Sequence, residues 1–291
     1  MGDSKNALSS NNTSESISQI ISLWRKLCQS DDLPKKELPK NTSKSSDPIN
    51  EVLCLETINA LILIRNLHKS IGDVAKSMKN PSLASGVTQK TIQSLIFQQT
   101  PDEWDRLWAG PTDPADFLNA VVKKTRGTMQ IFFEFFEILI FLQLYEASKS
   151  SSILSSPIDF SDLFYPNIFL NALRQTTSRQ LQIPLDQLIL SSAWTPSQLP
   201  PKQCVQVQGL LLQGATFDSF LRETTVSSAA YVQAPILYLA WTSDSSSTIT
   251  GEQIQVPLYN SSERSDLITA VNMPCRGADQ WNIAAVALFL R

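Results

Sequence analysis

The sequence predicts an α+β protein: an N-terminal helical segment followed by a small antiparallel, incomplete β-barrel of about six strands. Two observations carry this. Apolar residues recur at helical spacing up to about Gln182, and beyond Pro184 they gather in short runs separated by Pro, Gly or Ser clusters. Helices first and strands second is the order of an α+β arrangement, not of alternating βαβ units. The chain accordingly divides into residues 1–46, mostly disordered with one short helix, a helical segment 47–183, and a barrel-like cap 184–291.

The elements follow in chain order. Residues 1–13 and 29–47 are too polar to offset the entropy of ordering, and both are expected to be mobile. Between them Ile17, Ile20, Ile21, Trp24 and Leu27 line one face of a short helix beginning near Ser14. Asp47-Pro48, a capping residue before a first-turn proline, opens a long helix that ends at Asn80-Pro81. A further helix is expected over Thr88–Gln99. Trp104, Trp108, Gly110-Pro111 and Asp113-Pro114 mark an aromatic corner before a helix carrying Phe117, Leu118, Val121 and Val122. Phe132–Tyr145 reads as core packing, and the neighbouring Lys123, Lys124 and Arg126 as a solvated face. Pro166 starts another helix, with Phe169, Leu170 and Leu173 at helical spacing. The six expected strands are 188–194, 204–212, 236–241, 254–259, 267–273 and 281–290.

Composition excludes several function classes. With 24 basic and 27 acidic residues the net charge is −3, which gives no broad attraction to phosphate backbones, so no nucleic-acid partner is expected. Cys28, Cys54, Cys204 and Cys275 have no ligand-like spacing and read as buried thiols. The most apolar stretch, 131–144, is shorter than a membrane span and carries Glu134 and Glu137, so no membrane span is expected.

The search for chemistry ends the same way. Gly209 and Gly214 have the spacing of a phosphate-binding loop, but Ala215-Thr216 follow where Lys is required. His68 is the single histidine and has no partners for a metal site or a nucleophilic triad. Asp102-Glu103 and Asp159/Asp162 sit beside helix starts, where acids already suit the dipole. No catalytic, cofactor-binding or metal-binding residue is therefore assigned.

Five blocks, taken in order, are similar to a known family. They are Trp104 and Trp108 with Gly110-Pro111-Thr112-Asp113-Pro114 and Phe117; Asp162–Gln175, including Phe164, Pro166, Phe169 and Leu173; Gly209–Asp218, including Gly214 and Phe217; Val256–Tyr259 with Ser262–Arg264; and Pro274-Cys275 with Trp281 and Ala287–Leu290. They resemble the C-terminal region of dynein heavy chains, in particular the cytoplasmic intraflagellar-transport class. The resemblance implies a non-catalytic domain packed on one face of the AAA+ ring of a minus-end-directed microtubule motor, modulating it during retrograde transport. The implied partners are ring modules, part of the same polypeptide in a full-length motor, and other dynein-complex subunits indirectly. The implied location is the cytoplasm, cytoskeleton and cilium or axoneme. Three departures stand out: Gln213 where the family usually has Glu, Ala285 where it has Gly, and a more apolar Arg126–Gln143 than the family link. A second reading is a free-standing protein-binding module with a helical hairpin and a β-barrel.

Overall fold

Several helices in this protein begin where a side chain or a proline disposes of first-turn N–H groups, which have no partner inside the helix. The computed structural model describes residues 3–29, 31–39, 47–145, 156–195, 204–223, 231–243, 252–278, 281 and 285–290. Six helices lie among them: α1 Asp3–Gln29, α2 Pro48–Lys79, α3 Gly86–Ile96, the one-turn α4 Asp102–Asp105, α5 Pro114–Tyr145 and α6 Pro166–Leu181. Asp47 caps α2 by accepting the Asn50 N–H (3.2 Å), and Ser85 caps α3 by accepting that of Thr88 (3.1 Å). Asp113 caps α5 through the N–H groups of Ala115 (2.9 Å) and Asp116 (3.0 Å).

The chain forms two compact units, one of Met1–Asn41 with Cys54–Met129 and the other of Thr42–Leu53 with Gln130–Arg291. The core of the first unit is built from Ile17 and Trp24 of α1, Leu61, Ile64, Leu67 and Ile71 of α2, Trp104, and Phe117, Leu118, Val121 and Val122 of α5. The i, i+3, i+4 spacing of these residues puts them on single helix faces, so burying them needs no distortion of the helices.

Two features of the helical part differ from expectation. The first helix starts at Asp3, well before Ser14. Within 29–47, the described residues are held in place: Leu33 is buried, and Arg65 donates to the carbonyls of Pro34 (3.4 Å) and Lys36 (2.5 Å). Two hydrogen bonds and one buried side chain thus anchor a polar segment that has no apolar face of its own. The helix expected to start at Pro114 does so, and α5 runs through Tyr145 as one element. No helix among the described residues is long and apolar enough to cross a membrane.

The second unit holds the strands. Eleven are described: β1 Ile158–Asp159, β2 Ile189–Ala193, β3 Cys204–Gln208, β4 Leu210–Gln213, β5 Ala215–Phe217, β6 Leu221–Glu223, β7 Tyr231–Gln233, β8 Leu237–Thr242, β9 Gln253–Tyr259, β10 Leu267–Pro274 and β11 Ala287–Leu290. They form a four-stranded sheet in the order β1-β3-β8-β2, a five-stranded sheet β10-β9-β11-β4-β7, and the hairpin β5-β6. The α+β class stands. The single segment expected over 204–212 is two strands, because Gly209 takes a left-handed φ of +77° between β3 and β4. Of the described residues in the segment expected over 281–290, Ala287–Leu290 are strand.

The barrel wording needs correction. Among the described residues the strands number eleven, not about six, and two pairings are parallel, β1 with β3 and β9 with β11. No sheet closes on itself among the described residues. The missed strands β1, β5, β6 and β7 are two or three residues long, too short to show alternation. Closure fails where the edges of β2 and β10 meet. There the Asn272 N–H is taken by Ser192 Oγ (2.8 Å) and its carbonyl by the indole N–H of Trp194 (2.9 Å). Side chains thus occupy backbone groups that a continuous ladder would use.

Candidate functional site

The expected site residues fall into three clusters. In the first unit, the Trp104 indole is fully buried and donates to Ser70 Oγ (3.0 Å). Its ring lies 6.0 Å from that of Phe117, which also meets the Trp108 ring at 5.5 Å. Gly110 passes so close that an added Cβ would lie 2.9 Å from the Phe117 ring and closer still to Trp108. The Pro111 carbonyl accepts from Thr100 Oγ1 (2.8 Å), the Thr112 carbonyl accepts the Thr100 N–H (2.8 Å), and Pro114 opens α5. Gly110-Pro111-Thr112-Asp113-Pro114 is therefore a turn that seats two tryptophans on Phe117.

The basic residues beside this corner are engaged. Lys124 Nζ lies 5.8 Å from the Trp108 ring centroid, near the outer limit for a cation–π contact. Arg126 pairs with Asp31 and donates to the Leu27 carbonyl (2.8 Å), tying α5 to the end of α1. The solvated face read from the sequence is thus partly a clasp. Burial pushes the nearby Cys28 thiol up to about 11, opposed by the positive charge of Arg126. Burial likewise takes Cys204 to about 11, and among the described residues all four cysteines are free thiols.

In the second unit, Pro166 starts α6, Phe164 and Leu173 are buried, and Phe169 meets Phe160 edge-on at 5.8 Å. Two residues that the sequence reading did not select complete this cluster. Trp241 of β8 donates its indole N–H to the Leu170 carbonyl (3.0 Å), and Arg174 stacks on the Trp241 ring at 4.8 Å. The Arg174 guanidinium also donates to the Leu185 carbonyl (2.6 Å). Its position on the helix face of Leu170 and Leu173 was legible, but the ring it would meet, far along the sequence, was not. A cleft of about 200 Å³ opens beside them, lined by Asn167, Asn171, Arg174, Trp241, Ile268 and Thr269 among others.

The third cluster is the strand ends. Gly209 and Gly214 both have left-handed φ, +77° and +81°. A Cβ on Gly214 would fall inside the van der Waals shell of the Ala285 carbonyl oxygen and 2.9 Å from the carbonyl carbon. A Cβ on Gly209 would press on the Asp159 carboxylate, which is engaged with the Ser161 N–H (2.8 Å). The two glycines bracket β4, and no helix follows them. Phe217 packs on Trp194 at 4.9 Å, and Trp281 donates to the Arg276 carbonyl (3.3 Å). Phe289, absent from the expected set, sits between Tyr231 and Tyr259 at 5.9 and 6.0 Å.

The polar groups considered for chemistry are separately employed. His68 accepts the Trp24 indole N–H at Nδ1 (3.2 Å), and Asp159 holds a turn. Among the described residues no three His, Cys, Asp or Glu side chains converge on a possible metal position. What converges is aromatic rings, close-approach glycines and side chains that satisfy distant backbone groups. Among the described residues these features mark a domain of closely packed surfaces.

The comparisons identify which one. The sequence model for the C-terminal domain of dynein heavy chains matches residues 1–290, and the protein belongs to that family. It is 79% identical over 291 residues to cytoplasmic dynein 2 heavy chain 1 of Caenorhabditis elegans, a match covering 100% of this sequence and 7% of that protein. The human cytoplasmic dynein 2 heavy chain 1 is 30% identical over 282 residues, covering 96% of this sequence and 6% of that protein. The Chlamydomonas reinhardtii protein of the same name is 28% identical over 262 residues, covering 86% and 6%. The 291 residues therefore span a small part of the length of these curated relatives. The match to the C. elegans protein covers all 291 residues and so includes Arg126–Gln143.

Proposed function

We propose that these residues are the C-terminal domain of a cytoplasmic dynein 2 heavy chain, packed on the AAA+ ring of a minus-end-directed microtubule motor. The domain contributes no catalytic residue and binds no cofactor; it biases the ring mechanically. The observation that carries this reading is the similarity to cytoplasmic dynein 2 heavy chains across all 291 residues, supported by the exposed apolar side chains on α3 and in the turns on either side of it. Leu83 is 66% exposed, Val87 58% and Phe97 73%. Side chains of this size gain most from a covering surface. The motor's site of action on this reading is the cytoplasm, the cytoskeleton and the cilium or axoneme, in retrograde intraflagellar transport. The ring modules of the same heavy chain are the direct partners, and other dynein subunits are indirect ones.

The mechanism requires two ring states that cover the domain unequally. A difference of about 100 Å² in covered apolar area is worth about 2.5 kcal/mol, which shifts the balance between the states by about seventyfold. Modest changes in contact are therefore sufficient. The test is a complete dynein 2 motor carrying Leu83→Ser, Val87→Ser and Phe97→Ser together. Altered ATPase coupling and gliding velocity with the ring intact are expected. Unchanged velocity, force and stability would remove the reading.

A further inference from the structure

The two sheets of the second unit leave a place at which an extended peptide can pair. Strand β10 is an edge of its sheet, and its register with β9 decides which backbone groups point outward. Cys275 donates to the Glu252 carbonyl (3.0 Å), and their positions add to the same sum as the pairs Val271↔Val256 and Met273↔Ile254. The odd-numbered residues after the Leu267/Thr269 bulge therefore bond to β9, and the even-numbered ones face away. Ala270 agrees with this, since its partner across the ladder is Pro257, which has no N–H to offer.

The outward groups are treated unequally. Those of Asn272 are closed by Ser192 Oγ and the Trp194 indole, as described above. At Ala270 the N–H has no partner among the described residues, and the carbonyl takes only a long contact (3.4 Å) from Thr269 Oγ1. The open stretch adjoins the cleft beside α6, because Ile268 and Thr269 line it. The other lining side chains are the amides of Asn167 and Asn171, the Arg174 guanidinium, and the apolar surfaces of Leu170, Leu190 and Trp241. Among the described residues no carboxylate lines it. At about 200 Å³ the cleft is below the range of small-molecule pockets and suits one side chain.

We propose that the free edge of β10 at Ala270, with the adjoining Arg174 cleft, is an acceptor for an extended, acidic segment of another polypeptide. The segment adds as a strand and places one Asp or Glu side chain against Arg174 and the two asparagines. Strand addition supplies affinity through main-chain hydrogen bonds, and a neighbouring pocket selects the side chain. Charge decides the choice here: the wall offers a cation and amide donors, and Arg174 already spends part of its donor set on the Leu185 carbonyl while stacked on Trp241, which fixes its orientation. The inference does not rest on the motor reading, since it concerns these 291 residues alone.

The test is selection of a randomised peptide display library on a polypeptide of these 291 residues, followed by hydrogen–deuterium exchange with the best binder. Ala270→Pro removes the outward donor without touching the β9 ladder. Expected are alternating sequences with an acid at one fixed position, protection of the 268–270 amides on binding, and at least about tenfold weaker binding to Ala270→Pro. In Arg174→Gln the acid preference disappears while pairing at Ala270 persists. Binding indifferent to Ala270→Pro, protection elsewhere, or no enrichment of acids overturns the proposal. So does a library from which nothing is selected.

Discussion

Replacing Gly214 by Ala tests the claim that close-approach glycines define the sheet region. Two costs add. The φ of +81° is left-handed, and an L-residue with a Cβ held there loses about 1–2 kcal/mol. The new methyl also lands on the Ala285 carbonyl, 2.9 Å from its carbon and nearer still to its oxygen. That obstacle is backbone, so no rotamer change relieves it, and forced shifts of this kind cost about 1–3 kcal/mol. The sum is about 2–5 kcal/mol, a large share of the roughly 5–15 kcal/mol that holds a native protein together. Gly72 of α2 is the matched control, because a Cβ there meets nothing within 4 Å and its φ is helical. Gly72→Ala should gain about 1 kcal/mol from helix propensity alone. Urea titration followed by near-UV circular dichroism reads both, with the second unit reported by its own tryptophans. If Gly214→Ala shifts the transition by less than about 1 kcal/mol, the β11 entrance is not built on that glycine and the reasoning fails.

Three further outcomes follow from the same geometry. Trp104→Phe keeps a buried ring but loses the bond to Ser70 Oγ, and should cost about 1–3 kcal/mol in thermal or urea unfolding. The raised thiol pKa values of Cys28 and Cys204, about 11 against an ordinary 9.0, mean that the folded state favours the neutral thiol. Their contribution to stability is therefore complete below pH 9 and is lost as the pH rises towards 11. Iodoacetamide at pH 8 should label these two thiols in urea far faster than in the native protein. Gln213→Glu turns the exposed 3.1 Å contact with Arg264 into an ion pair, and should stabilise by at most about 1 kcal/mol, a gain that high salt removes.

Much of the helical part was legible in the sequence because its signals are local. Asp47-Pro48, Asn80-Pro81 and Asp113-Pro114 each place a cap or a breaker within a few residues of the boundary it sets. The order of the family blocks was equally readable, since it needs no geometry. The sheets were harder. β1 is two residues long and pairs with β3 in parallel at Ile158↔Val207, a partnership that no turn between them announces. β11 joins β9 in parallel for the same kind of non-local reason. Of the packing residues, Trp104 and Phe117 were found because they are close in sequence. Arg174 and Trp241 were not, since the contact between them depends on α6 lying across β8. The Arg126 clasp was missed because a basic run looks the same whether it faces water or a carboxylate.

The tryptophans show how such a domain is made specific as well as stable. Burying an indole supplies energy without direction, because apolar contact is satisfied by many arrangements. The indole N–H adds the direction. Within the first unit Trp24 reaches His68 and Trp104 reaches Ser70; within the second Trp241 reaches the Leu170 carbonyl and Trp194 the Asn272 carbonyl. Each bond joins elements far apart in sequence, so a helix that rotated or a strand that slipped would bury an unsatisfied donor at about 1–3 kcal/mol. Each unit is thereby locked internally in register. A domain that is to bias a ring through differences of about 100 Å² in contact must not deform to follow both ring states, or the difference disappears. Internal locking by directional bonds is what the mechanical role proposed above demands.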